Sequence, residues 1–319
     1  MAGFNDLITR SDVPIPTEEV GELLKVMPEE SVLLKRARRQ PMSTKTVKQT
    51  IMTTFPDAYW VDGDTGLKQT TKQSFSQPTM TAEELAVIAV VPDAVIDDSS
   101  LPIWETLRPY LAEAIGKKVD QAAIYGIDKP ASWPLALVPG AIAAGVIAPG
   151  NLAATPADER KDVGQLVADL GLKMARDAGA TLSGLIAQAG TGWELDRIRD
   201  ADRRPIYDGV AGALRGVPFD ELKNGAWSDV GTGDTSVPLI GVDWSQVYVG
   251  IRQDITVKML DQAVISDSDG KVVFNLAQQD AKALRVVFRV GYQAVMPVNH
   301  QQLDPTKRFP AGVIRGALS

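Results

Sequence analysis

His300 is the chain's single histidine, so any Ser-His-Asp arrangement for nucleophilic hydrolysis has to run through it. No Gly-x-Ser-x-Gly elbow accompanies it, and Asn299-His-Gln-Gln sits just past a strand-like run, where an exposed loop histidine is the plainer reading. One histidine and no cysteine leave nothing to build a His/Cys metal centre, a disulfide or a thiol nucleophile. Asp267-Ser-Asp-Gly270 resembles a fragment of a calcium loop, but Ile265 stands where the first ligand belongs, and a β-turn accounts for the motif. Gly231-Thr-Gly-Asp-Thr235 lacks the Lys-Ser/Thr of a phosphate-binding loop and reads as a turn. Asp97-Asp98 precedes a helix start, where negative charge is favoured without catalysis. Lys35, Arg36, Arg38 and Arg39 form the one basic cluster. No aromatic is interleaved with them, so they read as a solvated helix terminus or a contact with an acidic neighbour, not a nucleic-acid patch. No catalytic residue, metal or cofactor is expected.

The element on which the rest of the chain is arranged spans residues 101–126. Trp104, Leu107, Leu111, Ile115, Val119 and Ala122 recur at three- and four-residue steps, which predicts a long amphipathic helix with one apolar face. Glu105, Arg108, Glu113, Lys117 and Asp120 are placed largely off that face. Ser99 and Ser100 suit its start and Gly126 its left-handed close; at full length it runs roughly 39 Å, with Pro109 a candidate kink.

The 319 residues are 45% hydrophobic and 23% charged, ordinary for a folded chain and enough for two lobes. The net charge of −7 argues against a surface built to grip nucleic acid, which relies on clustered cations. Charges and prolines within residues 1–20 do not fit a signal peptide. The uncharged stretch 133–155 is broken by three prolines, Pro134, Pro139 and Pro149, and by glycines, so it reads as a mobile or surface-hugging loop in place of a bilayer helix.

Residues 1–44 read as an arm with two short helices, the first capped by Thr17 and the second begun at Pro28, with the basic cluster at its negative end. From Lys45 the pattern turns to β: Val47 and Ile51 alternate, Tyr59-Trp-Val61 is aromatic and β-branched, Asp62-Gly-Asp-Thr-Gly66 supplies a turn, and residues 67–75 return as a polar strand. A hairpin this polar has little core of its own, and two readings stand: a disordered loop, or a hairpin docked on another chain. Residues 84–91 make an apolar strand into the long helix. A second amphipathic helix carries Val163, Leu166, Val167, Leu170 and Met174, with a capping-box variant at Thr155-Pro-Ala-Asp158. Strands follow at 181–189, 238–241, 246–252, 254–260 and 283–296, with a short helix at 193–201. Composition and spacing by themselves give a mixed α and β protein of undefined function.

In order and spacing these pieces resemble the major capsid protein of tailed double-stranded-DNA bacteriophages over residues 15–297. Ser31-Val-Leu-Leu34 resembles the family's N-terminal arm; Ala58-Tyr-Trp-Val61, Phe75 and Glu84-Leu-Ala-Val-Ile88 resemble its extended loop and return strand. Asp97-Asp-Ser-Ser100 and the helix after it are similar to the entry into a spine helix. Residues 193–207 resemble a helix and Asp…Gly-Arg-Pro turn, with Arg203 in place of the usual glycine. Leu214-Arg-Gly-Val-Pro218, Leu239-Ile-Gly-Val-Asp243 and Leu284-Arg-Val-Val-Phe-Arg-Val-Gly-Tyr292 match later strands.

The resemblance implies an α+β phage major-capsid fold with a long spine helix, antiparallel sheets, an extended hairpin loop and an N-terminal arm. It divides the chain into an arm (1–44), the extended loop (45–92), a peripheral domain with the spine helix (93–156), an axial domain (157–262), and a return to the peripheral domain with a C-terminal tail (263–319). It implies a structural protein that assembles with copies of itself into hexamers and pentamers of an icosahedral head, with Trp60, Lys68, Lys72 and Phe75 on the extended loop and Trp104, Leu107, Leu111, Ile115 and Val119 in the spine core. A portal, a separate scaffold protein and decoration proteins are the further partners expected; sequence-specific nucleic-acid binding and membrane contact are not. The expected place is the virion, after assembly in the host cytoplasm. Some relatives crosslink a loop lysine to a neighbour's asparagine with help from a glutamate; here Val286-Val-Phe288 and Asp280 occupy those regions, so no crosslink is expected. Two rival readings remain, a bacterial nanocompartment shell of the same fold and an unrelated hydrolase centred on His300.

Overall fold

The computed structural model of the chain describes residues 31–56, 58–61, 70–93, 103–151, 155–156, 159–197, 212–228, 235–266, 269–316 and 318. Ser31 caps α1 (Val32–Arg36) by accepting the Leu34 N–H on its hydroxyl, and Val32, Leu33 and Leu34 are buried. β1 (Arg38–Pro41) and β2 (Thr46–Lys48) follow, then β3 (Ile51–Thr54) and β4 (Ser74–Ser76), which pair as the stem of a hairpin. β5 (Thr79–Pro92) leads to α2 (Ile103–Asp120), and after it come α3 (Leu137–Ala143), β6 (Ile147–Pro149) and α4 (Val163–Lys173). β7 (Gly184–Gln188), α5 (Thr191–Arg197), β8 (Ala213–Leu214), β9 (Val217–Leu222) and β10 (Leu239–Val242) continue the chain. β11 (Val247–Leu260), a hairpin of β12 (Val264–Ser266) and β13 (Val272–Asn275), β14 (Ala281–Ala294) and β15 (Ala311–Arg315) complete it.

Two sheets carry the architecture. One has the order β1-β11-β14-β5-β2, the other β6-β15-β10-β7-β9-β8. Both are mixed where antiparallel sheets were expected: β1 runs parallel to β11, β6 to β15 and β7 to β9. A parallel pair needs a crossover, and α5 lies between β7 and β9. The six-stranded sheet separates two apolar clusters. Ile186, Ile240, Val242 and Val313 face the cluster containing Ile115, Val119 and Leu137, while Leu185, Leu239 and Ile314 face the one built on Leu166, Leu170 and Met174 of α4. Burial on both faces explains why these strands read as nearly continuous apolar runs.

α2 is the predicted long helix, extended by one π turn over Gln121–Tyr125 and closed by Gly126 at φ 79. Several expectations are corrected. Among the described residues the arm helix is Val32–Arg36 capped by Ser31, Thr17 and Pro28 lying outside them, and Arg38 and Arg39 lie on β1 instead of the helix end. The stretch read as a mobile loop holds α3 and β6, with Leu137, Val138, Ala141, Val146 and Ala148 buried. Pro139 sits in the first turn of α3, where a missing N–H costs nothing, and a Cβ at Gly140 would collide with the Phe309 ring. The capping box of α4 uses Asp162 with Gln165, while Asp158 lies outside the described residues. The expected strands 246–252 and 254–260 are one strand, β11, irregular between Ile251 and Thr256. Residues 311–315, for which no strand is expected from the sequence, form the buried strand β15 between β6 and β10. The Arg203 turn, Asp97-Asp98, Asp267 and Gly231–Asp234 fall outside the described residues.

Candidate assembly surfaces

Two projecting segments, the arm and the hairpin, are rooted in the body by different chemistry. The arm helix α1 is clamped at both ends by carboxylates. Asp120, in the last turn of α2 and fully buried, accepts from the Ser31 hydroxyl at 2.8 Å, the Val32 and Leu33 N–H groups at 3.2 Å each, and the Asn224 amide at 2.8 Å. The two N–H groups are free donors of a helix start, so the carboxylate acts as a second cap supplied from across the fold. Burial pushes its pKa up from 3.8 to about 6, and the four donors pull the other way without prevailing. At the opposite end, Asp220 of β9 accepts from Arg36 at 2.6 and 3.1 Å and from Lys35 at 3.1 Å. Arg38 reaches the Tyr248 hydroxyl and the Ser245 carbonyl, and Arg39 donates to the Leu34 carbonyl. The basic cluster therefore meets an acidic neighbour within the chain.

Sequence reasoning placed Asp120 on the solvent side of the helix, and α1 covers that side. An acidic residue near a helix's C-terminal end, against the dipole, is the signal that could have indicated a partner from elsewhere in the fold.

The hairpin stem pairs Ile51 with Ser76 and Met52 with Phe75. On this stem the Val298 N–H donates to the Met52 carbonyl at 3.1 Å, and just past β3 the Phe55 and His300 rings stack at 4.1 Å and 7°. The same segment ties to the end of α4: Asn299 donates to the Ala178 carbonyl and Gln302 to that of Asp177. His300 is exposed and holds the hairpin just past β3 by its ring face. Phe75, opposite Met52 on the stem, is 61% exposed; further out Trp60 is fully exposed and Tyr59, Val61 and Lys72 are exposed, and Lys68 lies outside the described residues.

On α2, Ile115 and Val119 are buried and Leu111 is half-buried against the same cluster. Trp104 and Leu107 lie on the helix, and their side chains fall outside the described part. Among the described residues no group of three His, Cys, Asp or Glu could hold a metal ion, and no helix is long and apolar enough to cross a membrane.

The sequence matches the Phage capsid family over residues 12–298. The major capsid protein of Staphylococcus phage 80alpha is 27% identical over 286 residues, 88% of this chain and 82% of that protein. A solved chain from Mycobacterium phage Cain is 33% identical with a TM-score of 0.75, covering 91% of each chain. One from Microbacterium phage Oxtober96 is 30% identical with a TM-score of 0.76, covering 90% of this chain and 91% of that one. A capsid chain of a native GTA particle, 16% identical with a TM-score of 0.65, shares the fold. Since the family pattern runs from the arm past the end of β14, and solved phage chains share about a third of its residues over nearly their whole length, this chain belongs to the phage capsid family.

Proposed function

We propose that this chain is the major capsid protein of a tailed phage, assembling with copies of itself as hexamers and pentamers into an icosahedral head that encloses double-stranded DNA. The observation that carries this reading is the hairpin. Its stem is fixed to the body by Val298 and His300, yet it holds Trp60 and Phe75 in water. Among the described residues these two exposed rings have no core to join within their own hairpin, and burial of each against a neighbour would contribute roughly 2 kcal/mol. Repeated around a closed ring, modest contacts of this kind add up to a stable shell.

The net charge of −7 suits the wall of a DNA container, because a basic lining would hold the genome in a salt-dependent grip. The role is structural, with no catalytic step and no cofactor. Copies of the same chain are the principal partner; a portal, a separate scaffold protein and decoration proteins complete the particle. It acts in the virion, after assembly in the host cytoplasm.

Gel filtration and electron microscopy of the purified chain test the proposal. Closed icosahedral particles or their hexameric and pentameric units are expected. A monomer at high concentration overturns it, and particles from infected cells that hold an enzyme cargo in place of DNA transfer the chain to the nanocompartment class.

A further inference from the structure

Among the described residues the buried side chains that carry a formal charge are Asp120, Asp220, Asp243 and Arg308. The three acids are met inside the chain. Asp120 has its four donors, Asp220 has Lys35 and Arg36, and Asp243 accepts from the Thr181 N–H at 3.0 Å and from the Ser245 N–H and hydroxyl at 3.1 and 2.6 Å. Arg308 is the exception. It is 9% exposed, and its Nε and Nη1 are closed off from solvent with no hydrogen-bond partner. A buried cation left unmet is costly, so a fold that keeps one calls for a group from outside the isolated chain.

The surroundings fix Arg308 in place without satisfying it. On its N-terminal side Asn299 accepts the Gln302 N–H at 2.7 Å, Gln302 accepts the Asp304 N–H at 3.1 Å, and Asp304 accepts the Thr306 N–H and hydroxyl at 2.9 and 2.7 Å. Asp304, four residues away, is thus turned to Thr306 and not to the guanidinium. On the C-terminal side the Pro310 carbonyl accepts the Asp243 N–H at 2.7 Å, and the Phe309 ring lies against Gly140. Between these anchors the loop forms a rim, with Leu303 at 65% exposure and Pro305, Thr306 and Lys307 exposed. The rim is continuous with His300, which holds the hairpin.

We propose that Arg308 receives a carboxylate from a second copy of this chain when copies assemble. The guanidinium selects the chemistry: each of its two forks pairs Nη2 with Nε or with Nη1, so a carboxylate on either fork meets one of the unpaired nitrogens. A DNA backbone fits less well, because phosphate binding relies on many clustered cations and residues 299–308 offer one lysine beside Arg308. Copies of the chain hold acid in excess, 40 Asp and Glu against 33 Lys and Arg, whereas Asp304, Lys307 and Arg308 leave this loop at +1. Leu303 supplies an apolar contact at the rim that keeps water from the pair. A pair so buried is screened by salt far less than one on the surface. The inference rests on the self-assembly proposed above.

Cryo-electron microscopy of particles formed from the purified chain alone tests it, together with Arg308→Met. The map should place an Asp or Glu carboxylate of a neighbouring copy about 2.8 Å from the guanidinium. While unassembled, R308M should unfold in urea at the same midpoint as wild type or a higher one, because it removes an unmet charge; its particle yield should fall at least ~10-fold. A guanidinium that no neighbour's acid reaches overturns the inference and leaves the assembly reading intact, and so does a DNA phosphate found there in filled particles from infected cells. A lower midpoint for R308M also overturns it, since Arg308 would then serve its own fold, as does an unchanged particle yield. Failure of the wild-type chain to form particles overturns both.

Discussion

The substitution Asp120→Asn tests whether burial or hydrogen bonding sets the energetics of the arm clamp. The wild-type carboxyl titrates near 6 in the folded chain against 3.8 ordinarily, burial being the larger cause. Between those values the folded chain holds a proton that the unfolded chain has released, so the free energy of unfolding falls as pH rises through the window. At about 1.4 kcal/mol per unit, the loss between pH ~4 and pH ~8 is roughly 2.5 kcal/mol. The amide of the variant does not titrate. Its carbonyl can keep the two donors now on Oδ1, Ser31 and Leu33, but its NH2 group would face the Val32 N–H and the Asn224 amide, at a cost of about 1–3 kcal/mol for donors left unmet. Urea unfolding of the unassembled chain, followed by tryptophan fluorescence, should find D120N clearly less stable than wild type near pH 4. By pH 8 the gap should be closed or nearly so. A difference that stays constant across this range, or widens as pH rises, would mean that the four donors outweigh burial, and the account of the clamp would be wrong in sign.

The other perturbations separate folding from assembly. Trp60→Ala should leave the unfolding free energy within about 0.5 kcal/mol, since the ring is fully exposed, while particle yield in electron micrographs collapses; unchanged yield would remove the hairpin from the interface. Asp220→Ala should cost about 1–2 kcal/mol by urea unfolding, because the Lys35 and Arg36 heads are partly exposed and can return to water. Ile115→Asp should abolish soluble chain by burying an unpaired carboxylate, whereas Leu111→Asp, at a half-buried site, should remain soluble with a loss of about 1–2 kcal/mol in the same assay. Boiled, denatured particles should run as one band near 34.2 kDa on a gel, and a ladder of multiples would reveal the crosslinking that Asp280 and Val286-Val-Phe288 argue against.

Local periodicity made α2, β5, β14 and α4 legible, because in each the burial pattern comes from one dominant neighbour. What could not be read depends on contacts between distant parts of the chain. Asp120 looked solvated because nothing in residues 101–126 shows that residues 31–36 lie across it. Pro139 and Gly140 looked like breakers, yet the proline occupies a first turn and the glycine makes room for Phe309, from the far end of the sequence. β15, Ala-Gly-Val-Ile-Arg, is a short strand whose place beside β10 only its long-range pairing determines. The ring of Trp60 was visible as a residue, but its full exposure could be seen only with the stem in place.

The distribution of charge links these observations to a division of labour. Described ion pairs fasten the arm and brace the sheets: Arg36 and Lys35 to Asp220, Arg289 to Glu84, Lys282 to Asp93. Each holds one part of the chain to a part far away in sequence, which gives the body orientation more than raw stability, as partly exposed pairs do. The hairpin instead offers the exposed rings of Trp60 and Phe75. Contacts made from such groups depend little on ionic strength, because Debye screening acts on charges and not on buried apolar area or main-chain hydrogen bonds. Particles held together this way should survive a rise in salt that loosens the arm clamp at Asp220. Dissociation at high salt, measured by sedimentation, would instead assign the interfaces to charge and reverse the division argued here.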